Sequence, residues 1–251
     1  MIDVHTHLLP GVDDGSPSAD VSVPILERFA ADGVQIVVCT PHLDASRAAS
    51  APYERHFEIL TELRALAVVS PELRLGWEIM LDLPGIDLRD RRLSLGGSSA
   101  VLVEFPRMMI PPNAAEELFR LRMSGIVPVL AHPERYWGCT PARVEEWRRV
   151  GAVIQVDVAG VFASGPQGTL AASLLEHGLV DLLASDTHGD SRALLPARRW
   201  LTELGADDAA DLLTRRNAAH LLAGEPIESV PPIERRRGMF GRLKELILGS
   251  R

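Results

Sequence analysis

The sequence predicts an α/β protein built from repeated strand-then-helix units, and three observations carry that expectation. Short apolar, β-branched runs alternate with longer amphipathic stretches along the chain. The runs Ile36-Val37-Val38 and Val101-Leu102-Val103 are apolar at every position, as strands of a parallel sheet covered on both faces must be. The helical stretches repeatedly close on glycine, at Gly33, Gly125, Gly151 and Gly178, where a left-handed cap is easiest to form.

Taken in order, strands are expected over residues 2–5, 34–40, 73–79, 100–105, 126–131, 152–158 and 181–185. Helices are expected over 19–32, 53–69, 113–124, 141–150, 167–177, 191–204 and 207–222. Seven such alternations suit a closed or nearly closed barrel, and an open doubly wound sheet satisfies the same pattern.

The chain has 251 residues, 46% hydrophobic and 24% charged, which suits one well-filled core. Barrels with external helices reach this size as one unit, and no linker-like segment divides the sequence. The expected organisation is therefore a barrel over 1–232 followed by a basic, amphipathic tail over 233–251. The net charge of −8 disfavours nucleic acid as a partner. No basic segment followed by an apolar stretch opens the chain, and no window of eighteen apolar residues lacks charge, so a cytoplasmic protein without a membrane span is expected.

Cys39 and Cys139 lie in neither a CxxC pair nor a Cys-x5-Arg phosphate loop, which excludes the usual cysteine-nucleophile phosphatase. Lys244 is the only lysine, so a carbamylated lysine cannot bridge metals within the barrel.

The chemistry is written at the strand ends. His5-Thr6-His7, Thr40-Pro41-His42, Trp77-Glu78, Val103-Glu104, Ala131-His132-Pro133-Glu134-Arg135 and Ser185-Asp186-Thr187-His188 each close an expected strand. Gln155 and Asp157 close the sixth without a clear candidate. A single buried His is usually a satisfied core residue, and an Asp after a strand is often only a helix cap. In a parallel barrel, however, strand C-termini converge on one face, so six such ends become one site. The period-two pairs His5/His7 and Asp186/His188 send both side chains to the same side.

His5, His7, Asp14, His42, Glu78, Glu104, His132, Asp186 and His188 make nine candidate ligands, more than one catalytic zinc requires, so two or three ions are implied. Glu104 is the first choice to bridge them. Nitrogen and oxygen donors without thiolate suit Mn²⁺, Zn²⁺ or Fe, and such a cluster favours hydrolysis. Arginine forks match phosphate oxygens. Arg135 is the better candidate; Arg192 is either a second phosphate ligand or a solvated residue of a first helical turn. His56, His177 and His220 fall within helices and are assigned no chemistry, His177 suiting a helix C-terminus.

The opening Met-Ile-Asp-Val-His-Thr-His-Leu-Leu-Pro-Gly-Val-Asp-Asp-Gly, with Thr-Pro-His, Val-Glu-Phe-Pro, Ala-His-Pro-Glu-Arg and Ser-Asp-Thr-His, resembles the polymerase-and-histidinol-phosphatase (PHP) superfamily. Within it, the chain resembles the bacterial tyrosine-protein phosphatases of the CpsB/YwqE type. The resemblance implies a distorted (β/α)7 TIM-like barrel of the PHP type and a trinuclear, typically manganese centre held by the nine residues above. It also implies dephosphorylation of a bacterial tyrosine kinase in capsule or exopolysaccharide synthesis, by direct hydrolysis without a phospho-enzyme. Arg135 matches the family's phosphate-holding arginine. Arg192 stands one residue nearer the final histidine than the family's second arginine, and Leu43-Asp44-Ala45-Ser46-Arg47 also departs from the usual sequence.

Two other functions share these residues: a phosphoesterase of small metabolites such as histidinol phosphate, and a catalytically silent PHP binding module. The tail suits a helix packed on the barrel, an unstructured end, or a weak membrane-surface or kinase-docking segment.

Overall fold

The structure is a computed structural model, and it describes residues 1–234. The expected tail over 233–251 therefore lies outside the described residues except for Ile233 and Glu234. Ile233 is buried and its N–H donates to the Leu175 carbonyl at 3.1 Å.

The chain runs β1 (Ile2–Thr6), α1 (Ala19–Ala31), β2 (Ile36–Cys39), β3 (His42–Asp44), α2 (Tyr53–Leu66), β4 (Glu72–Leu75), β5 (Glu78–Met80) and β6 (Ala100–Glu104). It continues through α3 (Ala114–Met123), β7 (Val127–Ala131), α4 (Pro141–Arg149), β8 (Val153–Asp157), α5 (Val158–Phe162), α6 (Pro166–Glu176), β9 (Leu182–Ala184), α7 (Leu194–Glu203), α8 (Asp207–Asp211) and α9 (Asn217–Ala223). The four glycines expected to close helices all have positive φ, from 64° at Gly178 to 99° at Gly151. The single helix expected over 207–222 is interrupted by a wider π turn, Leu212–Arg216.

All strand pairs are parallel, but they form two sheets, of orders β1-β2-β4 and β3-β5-β6-β7-β8-β9. The expected strand 73–79 is thus broken into β4 and β5, and the expected strand 34–40 ends as β2 at Cys39, with β3 following beyond it. The breaks face each other at Thr40-Pro41 and Gly76-Trp77, and Pro41 has no N–H to donate to a ladder. Register survives the break: Cys39 faces Leu75 before it and His42 faces Glu78 after it.

Among the described residues no sheet closes: the α/β fold with parallel strands is as expected, but the expected closed or nearly closed barrel appears as two sheets. Between β9 and β1 the contact is reduced to two backbone hydrogen bonds, Asp186 N–H to His5 and His7 N–H to Thr187, beside an isolated bridge from Thr6 to Thr187. The Ser185 N–H is taken by the buried Asp3 carboxylate at 3.2 Å instead of a strand carbonyl.

Alternate side chains from strands of both sheets, including Ile2, Val4, Val38, Leu102, Val129, Val153 and Leu182, gather into one interior cluster capped by Leu95 and Leu221. The opposite faces pack against the helices through Phe29, Leu60, Leu118, Trp147, Leu174 and Leu201. Burial of both faces is why these strands read as continuous apolar runs. No helix among the described residues is long and apolar enough to cross a membrane.

The side opposite the strand C-termini is pinned by Asn217, which is fully buried. Its amide donates to the Asp181 and Glu228 carbonyls at 3.0 and 2.9 Å and its oxygen accepts from the Glu228 N–H at 2.9 Å. Asn217→Ala removes the partner of one buried and two part-buried backbone groups and should cost about 2 kcal/mol in urea unfolding. A loss within 0.5 kcal/mol, as is usual for a surface change, would contradict this.

Candidate metal centre

Each parallel strand brings its C-terminal end to the same face, and the nine expected residues meet there in four overlapping groups of donor atoms. These are His7, Asp14, His42 and His188; His5, Glu78 and His132; His5, His7 and Asp186; and His42, Glu78 and Glu104, with the ligand atoms of each group within 4.8 Å of one another. The period-two pair on β1 works as expected: His5 and His7 present Nε2 atoms 3.2 Å apart.

Of the two carboxylates Glu78 and Glu104, Glu78 occupies the middle of the cluster. One of its oxygens lies 3.3, 3.2 and 3.1 Å from His5, His7 and His42, and the other lies 2.7 Å from His132. Glu104 stands back, 3.8 Å from both His42 and His132. The register of β3 with β5 sets His42 directly beside Glu78, so the strand break is what turns both into the site.

Tautomers follow from the outer partners. Gln155 Nε2 donates to Asp157 at 2.9 Å, so its oxygen faces His5 Nδ1, also at 2.9 Å, which must donate. Asp13 accepts from His7 Nδ1 at 2.7 Å. Both neutral imidazoles then aim Nε2 lone pairs at one point, with Glu78 and Asp186 oxygens 3.2 to 3.4 Å away. Four acceptors facing each other under full burial suit a cation, and outer partners of this kind orient metal-binding histidines. The residues therefore fit a divalent metal centre.

Without a cation, protons balance the charge. Burial pulls the His5 imidazole down, but Glu78 and Asp186 outweigh it and hold it at about 9. His7 is raised likewise, with burial outweighed by its bonds to Asp13, Asp186 and Glu78. Burial raises Glu78 and Asp186, yet the surrounding histidines, joined by Arg135 at Asp186, hold both below the usual carboxylate range. Glu104 is pushed up to about 6 by burial and by Glu78.

Asp186 turns its other oxygen to two arginines. Arg135 Nη2 bonds both Asp157 and Asp186, and Arg192 Nη1 reaches Asp186 at 3.1 Å while its Nε holds Asp190 at 2.8 Å. Arg192 thus points into the site rather than to solvent, and it lies in the loop before α7, not in that helix's first turn. The outer part of the centre is open: the side chains of Asp14 and His42 are 71% and 41% exposed.

Several residues passed over in the sequence support this centre. Asp13 orients His7; Gln155 and Asp157 orient His5 and Arg135; and buried Glu134 accepts the Asp157 N–H at 3.0 Å. The Gln155-x-Asp157 spacing matches that of His5/His7, so the period-two signal was present there too. Gly15 is needed for space, since a Cβ there would meet the His7 carbonyl oxygen at 2.2 Å. His56 stacks on Trp77 and His177 caps α6, both outside the centre.

Residues 1–223 match the family model described as capsular polysaccharide synthesis, CpsB/CapC. The chain is 28% identical over 258 residues to the tyrosine-protein phosphatase YwqE of Bacillus subtilis, covering 96% of this chain and 99% of that protein. It is 30% identical over 207 residues to the tyrosine-protein phosphatase CpsB of Streptococcus pneumoniae, covering 76% and 85%. It also matches a chain from the crystal structures of YwqE from B. subtilis and CpsB from S. pneumoniae, described as unique metal-dependent tyrosine phosphatases. That match has a TM-score of 0.76 at 24% identity, covers 94% of this chain and 100% of the other, and establishes the shared fold.

The charges of these ligands give a test. With His5 held at about 9, a proton must leave before a cation enters at neutral pH. Mn²⁺ titrations in buffers of different ionisation enthalpy should show proton release, and affinity should weaken about tenfold per proton per unit as pH falls from 8 to 6. Affinity independent of pH over that range would contradict the tautomers and charges described.

Proposed function

Because the chain belongs to the CpsB/CapC family of capsular polysaccharide synthesis proteins, we propose that it is a metal-dependent protein-tyrosine phosphatase. The observation that carries this reading is Asp186, whose two oxygens join the histidine cage to a pair of arginines, so that phosphate and cations can be held side by side. The two sheets are read as one distorted seven-position barrel over 1–232, with the site at its C-terminal mouth.

His5, His7, Glu78 and Asp186, then His42, His132, Glu78 and Glu104, and at the open edge Asp14, His42 and His188, would hold two or three ions, Mn²⁺ first and Zn²⁺ or Fe as alternatives. Bound divalent ions supply an acidified water and neutralise charge on the phosphoryl oxygens. Glu78 is the proposed bridge. Arg135 and Arg192 present forked donors that match phosphate oxygens, and both are already oriented by Asp157, Asp186 and Asp190.

A tyrosyl ester leaves as a phenolate of pKa about 10, so little help from a general acid is required. Hydrolysis is direct, consistent with both thiols being pushed up to about 12 by burial and so poorly suited as nucleophiles. The open edge at Asp14 and His42 favours a phosphotyrosine on a protein over a small metabolite. The family description, capsular polysaccharide synthesis, supports a role for the substrate in that process, and the proposed partner is a bacterial tyrosine kinase, with the phosphatase itself cytoplasmic.

Metal-stripped protein given Mn²⁺ should release phosphate from a phosphotyrosine peptide in preference to a phosphoserine peptide and histidinol phosphate. Arg135→Ala should lower kcat/KM about a hundredfold while bound metal is unchanged. Preference for histidinol phosphate would move the function to metabolites. Inactivity with every metal would leave a binding module.

A further inference from the structure

Only four non-glycine residues among those described have left-handed backbone: His132, Asp186, Arg107 and Met108, with φ of 35°, 49°, 54° and 54°. All follow strand C-termini on the face that carries the site. Such conformations cost on the order of 1 kcal/mol each and persist where the surroundings enforce them. His132 and Asp186 have a reason in the metal cage. Arg107 and Met108 have none there.

Their turn follows β6, and it is joined to the segment that follows β7. Met109 bridges to Trp137, and the Trp137 N–H donates to the Met108 carbonyl at 2.9 Å. Both segments are anchored at their roots by Tyr136, whose buried hydroxyl donates to the Ala131 carbonyl at 2.8 Å and accepts the Phe105 N–H at 3.1 Å. The rings of Phe105 and Tyr136 pack 5.1 Å apart. Trp137 stands two residues along the chain from Arg135, and the turn begins three residues after Glu104, so both segments lead directly out of the site.

What the platform displays is unusual for a surface without a partner. Trp137 is 85% exposed and Met109 59%, whereas Trp77, Trp147 and Trp200 are buried. Arg107 is exposed and has no ion-pair partner among the described residues. An exposed indole, a thioether and an unpaired guanidinium carried on two backbone-paired segments match an extended polypeptide with apolar and acidic side chains.

We propose that the turn 107–109 and Trp137 form a subsite for the residues flanking the phosphotyrosine of a polypeptide substrate, one apolar and one acidic. This rests on the phosphatase reading above and adds the means by which a protein is told from a small phosphate ester. The indole and Met109 receive the apolar neighbour, and Arg107 pairs with the acidic one.

The test compares a phosphotyrosine peptide flanked by Leu and Glu with 4-nitrophenyl phosphate. For an Arg107→Ala/Trp137→Ala variant, the ratio of kcat/KM for the peptide to that for the small ester should fall about tenfold, through KM. Separately, Mn²⁺-loaded wild-type protein mixed with the same peptide carrying a non-hydrolysable phosphonomethyl-phenylalanine should show reduced acrylamide quenching of tryptophan, and Trp137→Ala should not.

An unchanged ratio with unchanged quenching, or equal loss on both substrates, overturns the subsite while leaving the phosphatase reading in place. Association of copies of the chain through Trp137, seen as a mass that falls to monomer in Trp137→Ala, would also overturn it. A wild-type protein that cleaves neither the phosphotyrosine peptide nor 4-nitrophenyl phosphate removes the phosphatase reading and the subsite with it.

Discussion

The structure is organised around one buried carboxylate. Glu78, only 1% exposed, is surrounded by His5, His7, His42 and His132, and its charge can stay there only if cations or protons share the cavity. Several strands contribute to meeting that demand. β1 brings the paired imidazoles, the break between β2 and β3 turns His42 beside Glu78, and β8 supplies the Gln155 and Asp157 that set His5 and Arg135. Asp186 then passes the charge outward to the arginines. Local strain at His132 and Asp186 is the cost of this convergence, and the apolar interior beneath the strands bears it.

Much of this was legible in the residues. The alternation of apolar runs and amphipathic stretches found the parallel strands, because burial on both faces leaves no polar positions to disguise them. Donor residues at six strand ends located the site, because parallel topology gathers such ends whatever their sequence distance. Closure was not legible. Whether the last strand pairs with the first depended on Asp3 taking the Ser185 N–H and on the left-handed turn at Asp186, neither of which alters hydrophobic periodicity. The gap at Gly76-Trp77 lies inside a run that reads as one strand, whereas Thr40-Pro41 ends the second expected strand without showing that β3 follows it.

Within the site, residue type alone ranked the carboxylates poorly. Glu104 and Glu78 look equivalent at strand ends, and only the register of β3 with β5 puts Glu78 among the imidazoles. The outer partners were missed for a related reason. Asp13, Gln155 and Glu134 act through ligands rather than as ligands, and nothing in a linear spacing separates such a residue from an ordinary turn or core position. Arg192 shows the reverse: a spacing that departs from the family by one residue still reaches Asp186, since a loop, not a helix, carries it.

The central claim is that the cage around Glu78 holds divalent cations. Anomalous diffraction at the manganese edge, from crystals grown with Mn²⁺, tests it most directly. The account expects peaks on both sides of the Glu78 carboxylate, one against His5 and His7 and one against His42 and His132, with the peaks lost in Glu78→Ala. Ordered manganese found only elsewhere, or a cage whose peaks survive that substitution unchanged, would contradict it.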